Sequence, residues 1–193
     1  MILRAFAPVD YPAIVDIHNN LNIVWPERPS TPEAWEKADR NRSSTVKYRR
    51  WVAVEDDRVV GFAEYRQGPF EYPPMSFWVN VEVAPENQRR GIGSRLLDEV
   101  TQALQEFNPP ALRADAFTNL PQGFTFLQER GFYEAFRETP VHLDVSTFDP
   151  QPYEGLEARL KSAGIVIKTL RELKTDPDRD RKLYDLYWTS SED

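Results

Sequence analysis

Val81-Glu82-Val83-Ala84-Pro85 is followed, after Glu86 and Asn87, by Gln88-Arg89-Arg90-Gly91-Ile92-Gly93-Ser94. Upstream, Val79, Val81 and Val83 alternate with Trp78, Asn80 and Glu82, the period of a strand over residues 75–84 that Pro85 ends. Downstream, Ile92, Leu96, Leu97, Val100 and Leu104 share one helical face, which predicts a helix over about 91–107, stopped by Asn108-Pro109-Pro110. A strand therefore turns directly into a helix whose first turn holds two glycines. The free N–H groups of such a helix start, together with its dipole, attract an anion. Glycines let a phosphate approach the backbone closely. Arg89, Arg90 and the Ser94 hydroxyl are further donors. A single dipole contact contributes only about 0.3–1 kcal/mol at an exposed site, so affinity requires several donors to converge. Gly-x-Gly at a helix start also serves plain packing, and paired arginines also form solvated faces. The pattern is neither Walker A, which needs Gly-Lys-Ser/Thr, nor the dinucleotide fingerprint, which needs a third glycine.

Working outward, residues 2–6 predict a first strand. A helix follows Asp10, with Pro12 in its first turn and Ile14, Val15, Ile17 and Leu21 at helical spacing. Residues 25–29 break it, and a second helix begins at Ser30 or Thr31, with Pro32 and Glu33 in its first turn. Apolar runs at 51–54 and 59–63 around the acidic turn 55–57 predict a hairpin. Residues 68–74, rich in proline and aromatics, read as a loop. Beyond the central helix, a strand is expected over 111–117, a short helix over 121–130 closed by Gly131, and a last pair of strands over 132–136 and 141–145. From Phe148 the character changes: a linker over 148–152, a helix over 154–163, a strand over 165–170, and a helix capped by Asp176-Pro177.

Composition narrows the function. The 193 residues are 40% hydrophobic and 12% aromatic, enough for a sizeable core. A net charge of −7 disfavours nucleic acid and anionic membranes as general partners. No apolar run reaches the roughly 18 residues that span a bilayer, and the N-terminus lacks a signal-peptide layout. The absence of cysteine removes disulfides, Cys nucleophiles and thiolate metal sites, and fits a cytoplasmic location. With only His18 and His142, a His-rich metal centre is excluded and no metal is expected.

Gln88-Arg89-Arg90-Gly91-Ile92-Gly93 resembles the Gln/Arg-x-x-Gly-x-Gly/Ala motif of the GNAT N-acetyltransferase superfamily. Val81 to Pro85 is similar to that family's fourth strand, and the stretch from Asn119 to Phe132 ends in a similar Phe-Leu-x-x-x-Gly-Phe. The resemblance covers about residues 2–146. It implies an α/β (α+β) GNAT acyltransferase fold, with a mixed, mostly antiparallel sheet and helices on both faces. It implies acetyl-CoA as co-substrate, lying where two parallel strands splay apart. The backbone of Val81 and Val83 would bond the pantetheine arm, and Gln88, Arg89, Arg90, Gly91, Ile92, Gly93 and Ser94 would cradle the pyrophosphate. Asn119 stands where the family often contacts that arm; Asn is equally at home as a cap or turn residue.

Acetyl transfer to an amine needs a base for the amine and a proton for the leaving thiolate. The family often supplies that proton from a tyrosine four residues before the glycine of Gly-Phe. That position is Leu127, so the usual acid is absent. Glu82 shares a strand face with Asn80; it is the candidate base, or else a carboxylate paired to an arginine or exposed at the strand end. Glu64 and Tyr65 are weaker candidates. His18 either lines the acceptor side or is a surface or capping residue, and His142 reads as bland. Trp25, Trp35, Phe70, Tyr72 and Trp78 border the acceptor cleft or pack the core. Arg40, Arg42, Lys47, Arg49 and Arg50 draw an acidic substrate or make a solvated face.

The expected organisation is a GNAT domain over 1–146, a linker and helix over 147–163, and the start of a second GNAT-like domain over 164–193, as in the N-terminal half of a truncated tandem-GNAT protein. The leading functional expectation is an acetyl-CoA-dependent N-acetyltransferase acting on a small-molecule primary amine. The alternatives are a non-catalytic acyl-CoA-binding module and an acetyltransferase for protein N-termini or lysines. Contact with a missing second domain, or a homodimer, is the expected partnership.

Overall fold

The computed structural model describes residues 1–21, 28–68, 76–118, 120–139 and 141–190. The chain divides into two units, Met1–Tyr133 and Glu134–Asp193.

The first unit is built on a five-stranded sheet of β1 (Ile2–Ala5), β2 (Tyr48–Glu55), β3 (Arg58–Gln67), β4 (Phe77–Val83) and β5 (Leu112–Arg113), in that spatial order. The first three pairings are antiparallel and β4–β5 is parallel. The β2–β3 hairpin turns at Asp56 and Asp57, both left-handed at φ 47° and 60°, the twist that suits a two-residue loop. Directly opposed residues share a face of the sheet, so side chains line up in rows across strands. Val52, Phe62 and Glu82 form one such row, and Arg50, Glu64 and Asn80 the next.

Helices α1 (Tyr11–Leu21) and α2 (Pro32–Arg40) lie on that face. Ile14, Val15 and Ile17 pack there with Val52 and Phe62, and Trp35 joins them. Thr31, one of the two starts that the sequence offers, caps α2 by accepting from the Ala34 N–H at 3.2 Å. Helix α3 (Ile92–Leu104) covers the opposite face, where Leu96, Leu97, Val100 and Leu104 pack with Ala53, Ala63, Tyr65 and Val79. The period-2 pattern of β4 thus puts Phe77, Val79, Val81 and Val83 in the α3-side core and leaves Asn80 and Glu82 on the α1/α2 face. At Gly61 an added Cβ would lie 2.9 Å from the Glu82 carbonyl oxygen, so the approach of β3 to β4 there requires glycine. Helix α4 (Pro121–Gln128) completes the unit, closed by Gly131 at φ +84°.

Some of the expected strands are corrected. The strand expected over 111–117 is only Leu112–Arg113. No strand forms among the described residues of 132–136 and 141–145. Tyr133, Phe136, Val141, Leu143 and Val145 are exposed, Val141 at 90%. Alternating apolar residues form a strand only when a neighbour takes up their backbone groups, and none does so among the described residues.

In the second unit, α5 (Leu156–Ser162) ends at Gly164 with φ +80°, and α6 (Arg179–Ser190) follows Asp176, whose carboxylate accepts from the Asp178 N–H at 2.9 Å. Residues 165–170 are not a strand; Ile165, Val166, Ile167 and Leu170 are all exposed. Among the described residues no helix is long and apolar enough to cross a membrane.

Candidate functional site

Strand β4 pairs with β3 along its whole length, from Phe77↔Gln67 to Val83↔Gly61. With β5 it pairs only at Phe77↔Leu112 and Trp78↔Arg113. Beyond Trp78 the two parallel strands part, and among the described residues no strand lies beside 79–83 on that edge. The Ala84 N–H donates to the Val60 carbonyl at 2.9 Å. That fixes the alternation: Asn80 and Glu82 turn their backbone groups to β3, and Val81 and Val83 turn theirs to the open edge. The Val83 carbonyl accepts from Gln88 Nε2 at 3.0 Å, which ties the turn to the strand end.

The turn is left-handed at Arg89 (φ 60°) and again at Gly91 (φ 80°). Gly91 caps α3 without any side-chain bond to the helix's first N–H groups. A Cβ at Gly91 would meet nothing within 4 Å, whereas one at Gly93 would lie 3.4 Å from Phe126. The two glycines therefore differ in purpose. Gly91 serves backbone conformation beside open space; Gly93 serves the packing of α3 against α4. Ile92 is buried and anchors the helix start in the core. Ser94 Oγ accepts from Arg130 Nη2, and Arg130 also bonds the Phe126 carbonyl at 2.8 Å. Arg90 pairs with Glu55 at 2.9 Å, while the exposed Arg89 heads the turn.

On the α1/α2 face, Glu82 is not solitary. His18 Nδ1 lies 3.1 and 3.2 Å from its two oxygens, and Asn80 Nδ2 donates to its Oε1 at 2.9 Å. The ring of Trp35 stands 5.1 Å from that of His18. The hydrogen bond to Glu82 holds the His18 pKa above the usual histidine value of 6.5; burial opposes this, and the charges of Glu82 and Glu64 add to it. Next to this cluster, buried Arg50 bonds Glu64 at 2.7 Å and Asp39 at 3.0 Å. Tyr48 donates to Glu64 and Tyr11 to Asp39, each at 2.9 Å. Burial raises both phenols, Tyr11 to about 12 and Tyr48 further, so neither is a ready proton donor near neutrality.

The structure thus brings together Val81, Val83, Gln88, Arg89, Arg90, Gly91, Ile92, Gly93 and Ser94 along one edge and turn, with Glu82 on the adjoining face. Asn119, Trp25, Phe70 and Tyr72 lie outside the described residues. Tyr65 belongs to the α3-side core, away from Glu82. The residue that sequence reasoning undervalued is His18. Its partner is 64 positions away, and no local signal announces that pairing.

The model of the Acetyltransferase (GNAT) family matches residues 14–132. The chain belongs to that family. Over 130 residues it is 30% identical to a mycothiol acetyltransferase of Rhodococcus opacus strain B4, covering 67% of this chain and 38% of the relative. Over 87 residues it is 37% identical to a mycothiol acetyltransferase of Rhodococcus jostii strain RHA1, covering 45% and 26%. The chain thus spans well under half the length of these relatives. A ribosomal-protein-alanine N-acetyltransferase from Brucella melitensis superposes with a TM-score of 0.62 at 26% identity, covering 70% of this chain and 86% of that one. A putative acetyltransferase from Salmonella typhimurium, solved with acetyl-CoA, shares the fold at 20% identity and a TM-score of 0.59, covering 75% and 86%. The family match runs from α1 to the end of α4 and so contains the open edge, the glycine turn and His18.

Proposed function

We propose that this GNAT chain transfers the acetyl group of acetyl-CoA to a primary amine of a small molecule. The observation that carries the reading is the half-paired strand β4, whose open edge runs directly into the bare, glycine-started N-terminus of α3. These residues fit the donor. The outward-facing backbone groups of Val81 and Val83 match an extended amide-bearing arm, and the N–H groups from Arg89 to Ser94 match a pyrophosphate. Asn119 is a further proposed contact. When bound, acetyl-CoA supplies an activated thioester carbonyl. The chain's own residues bind and orient it, and the cluster of Asn80, Glu82 and His18 handles the acceptor's proton. Kinship to proteins named mycothiol acetyltransferases supports a small-molecule acceptor. The acidic, cysteine-free composition supports a cytoplasmic setting without nucleic acid or membrane as partner.

Titration calorimetry with acetyl-CoA, followed by a screen of amines for CoA release, tests the reading. Saturable binding with amine-dependent release is expected. One observation favours a second reading, a non-catalytic acyl-CoA-binding module: Leu127 stands where the family often carries its tyrosine. Binding without release across the amine panel would select that alternative.

A further inference from the structure

Resting on the acetyltransferase reading above, we propose that His18 is the group that takes the acceptor amine's proton, at Nε2, and that Glu82, held by Asn80, orients the ring. The inference reassigns the base from the strand carboxylate to a helix histidine, and it follows from how each hydrogen-bonding group is used.

A carboxylate facing a neutral imidazole only accepts, so the His18 nitrogen beside Glu82 must carry the hydrogen. That nitrogen is Nδ1, at 3.1 and 3.2 Å from the two carboxylate oxygens. The lone pair of the neutral ring is then on Nε2, which has no hydrogen-bond partner among the described residues. Asn80 sits two positions before Glu82 on the same strand face, and its 2.9 Å bond to Oε1 fixes the carboxylate rotamer. Trp35 on α2 flanks the ring. The His18 side chain is 32% exposed and that of Glu82 14%, so the ring is the more open route for a proton to leave to water. Glu82 already accepts from His18 and Asn80, an arrangement that suits orienting and charge compensation.

The acceptor ammonium loses one proton to Nε2: the substrate N–H bond breaks, the Nε2–H bond forms, and the resulting imidazolium stands beside the Glu82 carboxylate. The freed amine then forms the C–N bond as the thioester C–S bond breaks. A second proton leaves that nitrogen for the departing thiolate, giving amide and thiol. His18 returns its proton to solvent. The charged groups that face His18 are Glu82 from β4 and Glu64 from β3, the latter already bonded by Arg50 and Tyr48. From α2 the neighbour is the neutral Trp35.

The first test needs no turnover. Nitrogen NMR of the full chain carrying His142→Asn leaves His18 as the only histidine. The neutral ring should hold its hydrogen on Nδ1, titrate above the ordinary histidine value, and move to lower pH in Glu82→Gln. A neutral ring protonated on Nε2, or a titration that Glu82→Gln leaves in place, would overturn the proposal. The second test is kinetic. His18→Gln should lower kcat about 100-fold or more and remove the ascending limb of the pH–rate profile. Glu82→Gln should instead shift that limb to lower pH with a smaller loss. If His18→Gln keeps both rate and limb while Glu82→Gln abolishes turnover, Glu82 is the base and the assignment fails. Failure of the wild-type chain to bind acetyl-CoA would instead overturn the donor reading itself, and calorimetry on wild type separates the two failures.

Discussion

Residues 51–54 and 165–170 are alike as sequence: short, β-branched and apolar. In the first unit Trp51, Val52 and Ala53 are buried at 2% exposure or less, between β1 and β3. In the second unit Val166 and Ile167 are exposed at 69% and 75%, with no strand formed. The difference lies in partners rather than in propensity. Strand stability comes from neighbours that satisfy backbone groups and cover one face, and only the first unit provides them.

The sharpest way to break this comparison is to cut equal volumes from both units. Leu96→Ala, at a fully buried α3 position, should lower unfolding free energy by about 2–5 kcal/mol, whereas Ile167→Ala should stay within about 0.5 kcal/mol. Denaturant unfolding of the full chain measures both. A cost at Ile167 comparable to that at Leu96 would mean that the second unit has a core of its own.

The charge pairs give a second contrast of comparable size. Arg50 is 4% exposed and bridges Glu64 and Asp39, so Arg50→Ala leaves Glu64 without its cation and Asp39 with Arg42 alone, and should cost about 3–5 kcal/mol. The solvent-exposed pair of Arg137 and Glu134 in the second unit should be lost without measurable effect. Equal losses at the two pairs would refute the assignment of burial to the first unit alone.

A smaller stability effect with a large binding consequence is expected at Gly91. Any other residue there must hold φ near +80°, a strain of about 1–3 kcal/mol, and Gly91→Val also fills the space where a phosphate would sit. Acetyl-CoA affinity should fall at least tenfold, while the same change at Gly155, left-handed in the second unit, should leave affinity as it was.

The smallest effect is on acid stability. The hydrogen bonds from Arg4 lower the Asp10 carboxyl below its ordinary value of 3.8; burial opposes this, and the Ala7 N–H and the Arg4 charge assist. A group lowered on folding stabilises above its unfolded value and loses that contribution as pH falls through its folded value. Asp10→Asn should therefore flatten the stability profile below about pH 4, measured as Tm against pH, and should change it more than Asp176→Asn does. For His18 the sign reverses. A group raised on folding contributes fully below its unfolded value near 6.5, and that contribution fades as pH rises through the folded one. Glu82→Gln should thus cost more stability at pH 5.5 than at pH 9.

How much was legible in the sequence follows the same logic. The β4-to-α3 turn was readable because its signal is local: alternating valines, a proline stop, glycines, then helical spacing. The β2–β3 hairpin and the start of α2 near Thr31 were readable for the same reason. The strands expected at 132–136, 141–145 and 165–170 failed because alternation states what a segment prefers, not whether a partner arrives. Glu82 could be singled out from strand parity alone, but its pairing with His18 joins α1 to β4 across the fold. The packing of α1 on the sheet creates that contact, and neither segment announces it.

The most direct test of the central claim is calorimetric titration of the wild-type chain with acetyl-CoA, run in parallel on Gly91→Val and His18→Gln. Saturable one-to-one binding is expected for wild type, with retention in His18→Gln and loss in Gly91→Val. Absence of binding to wild type at millimolar ligand, or undiminished binding to Gly91→Val, would contradict it.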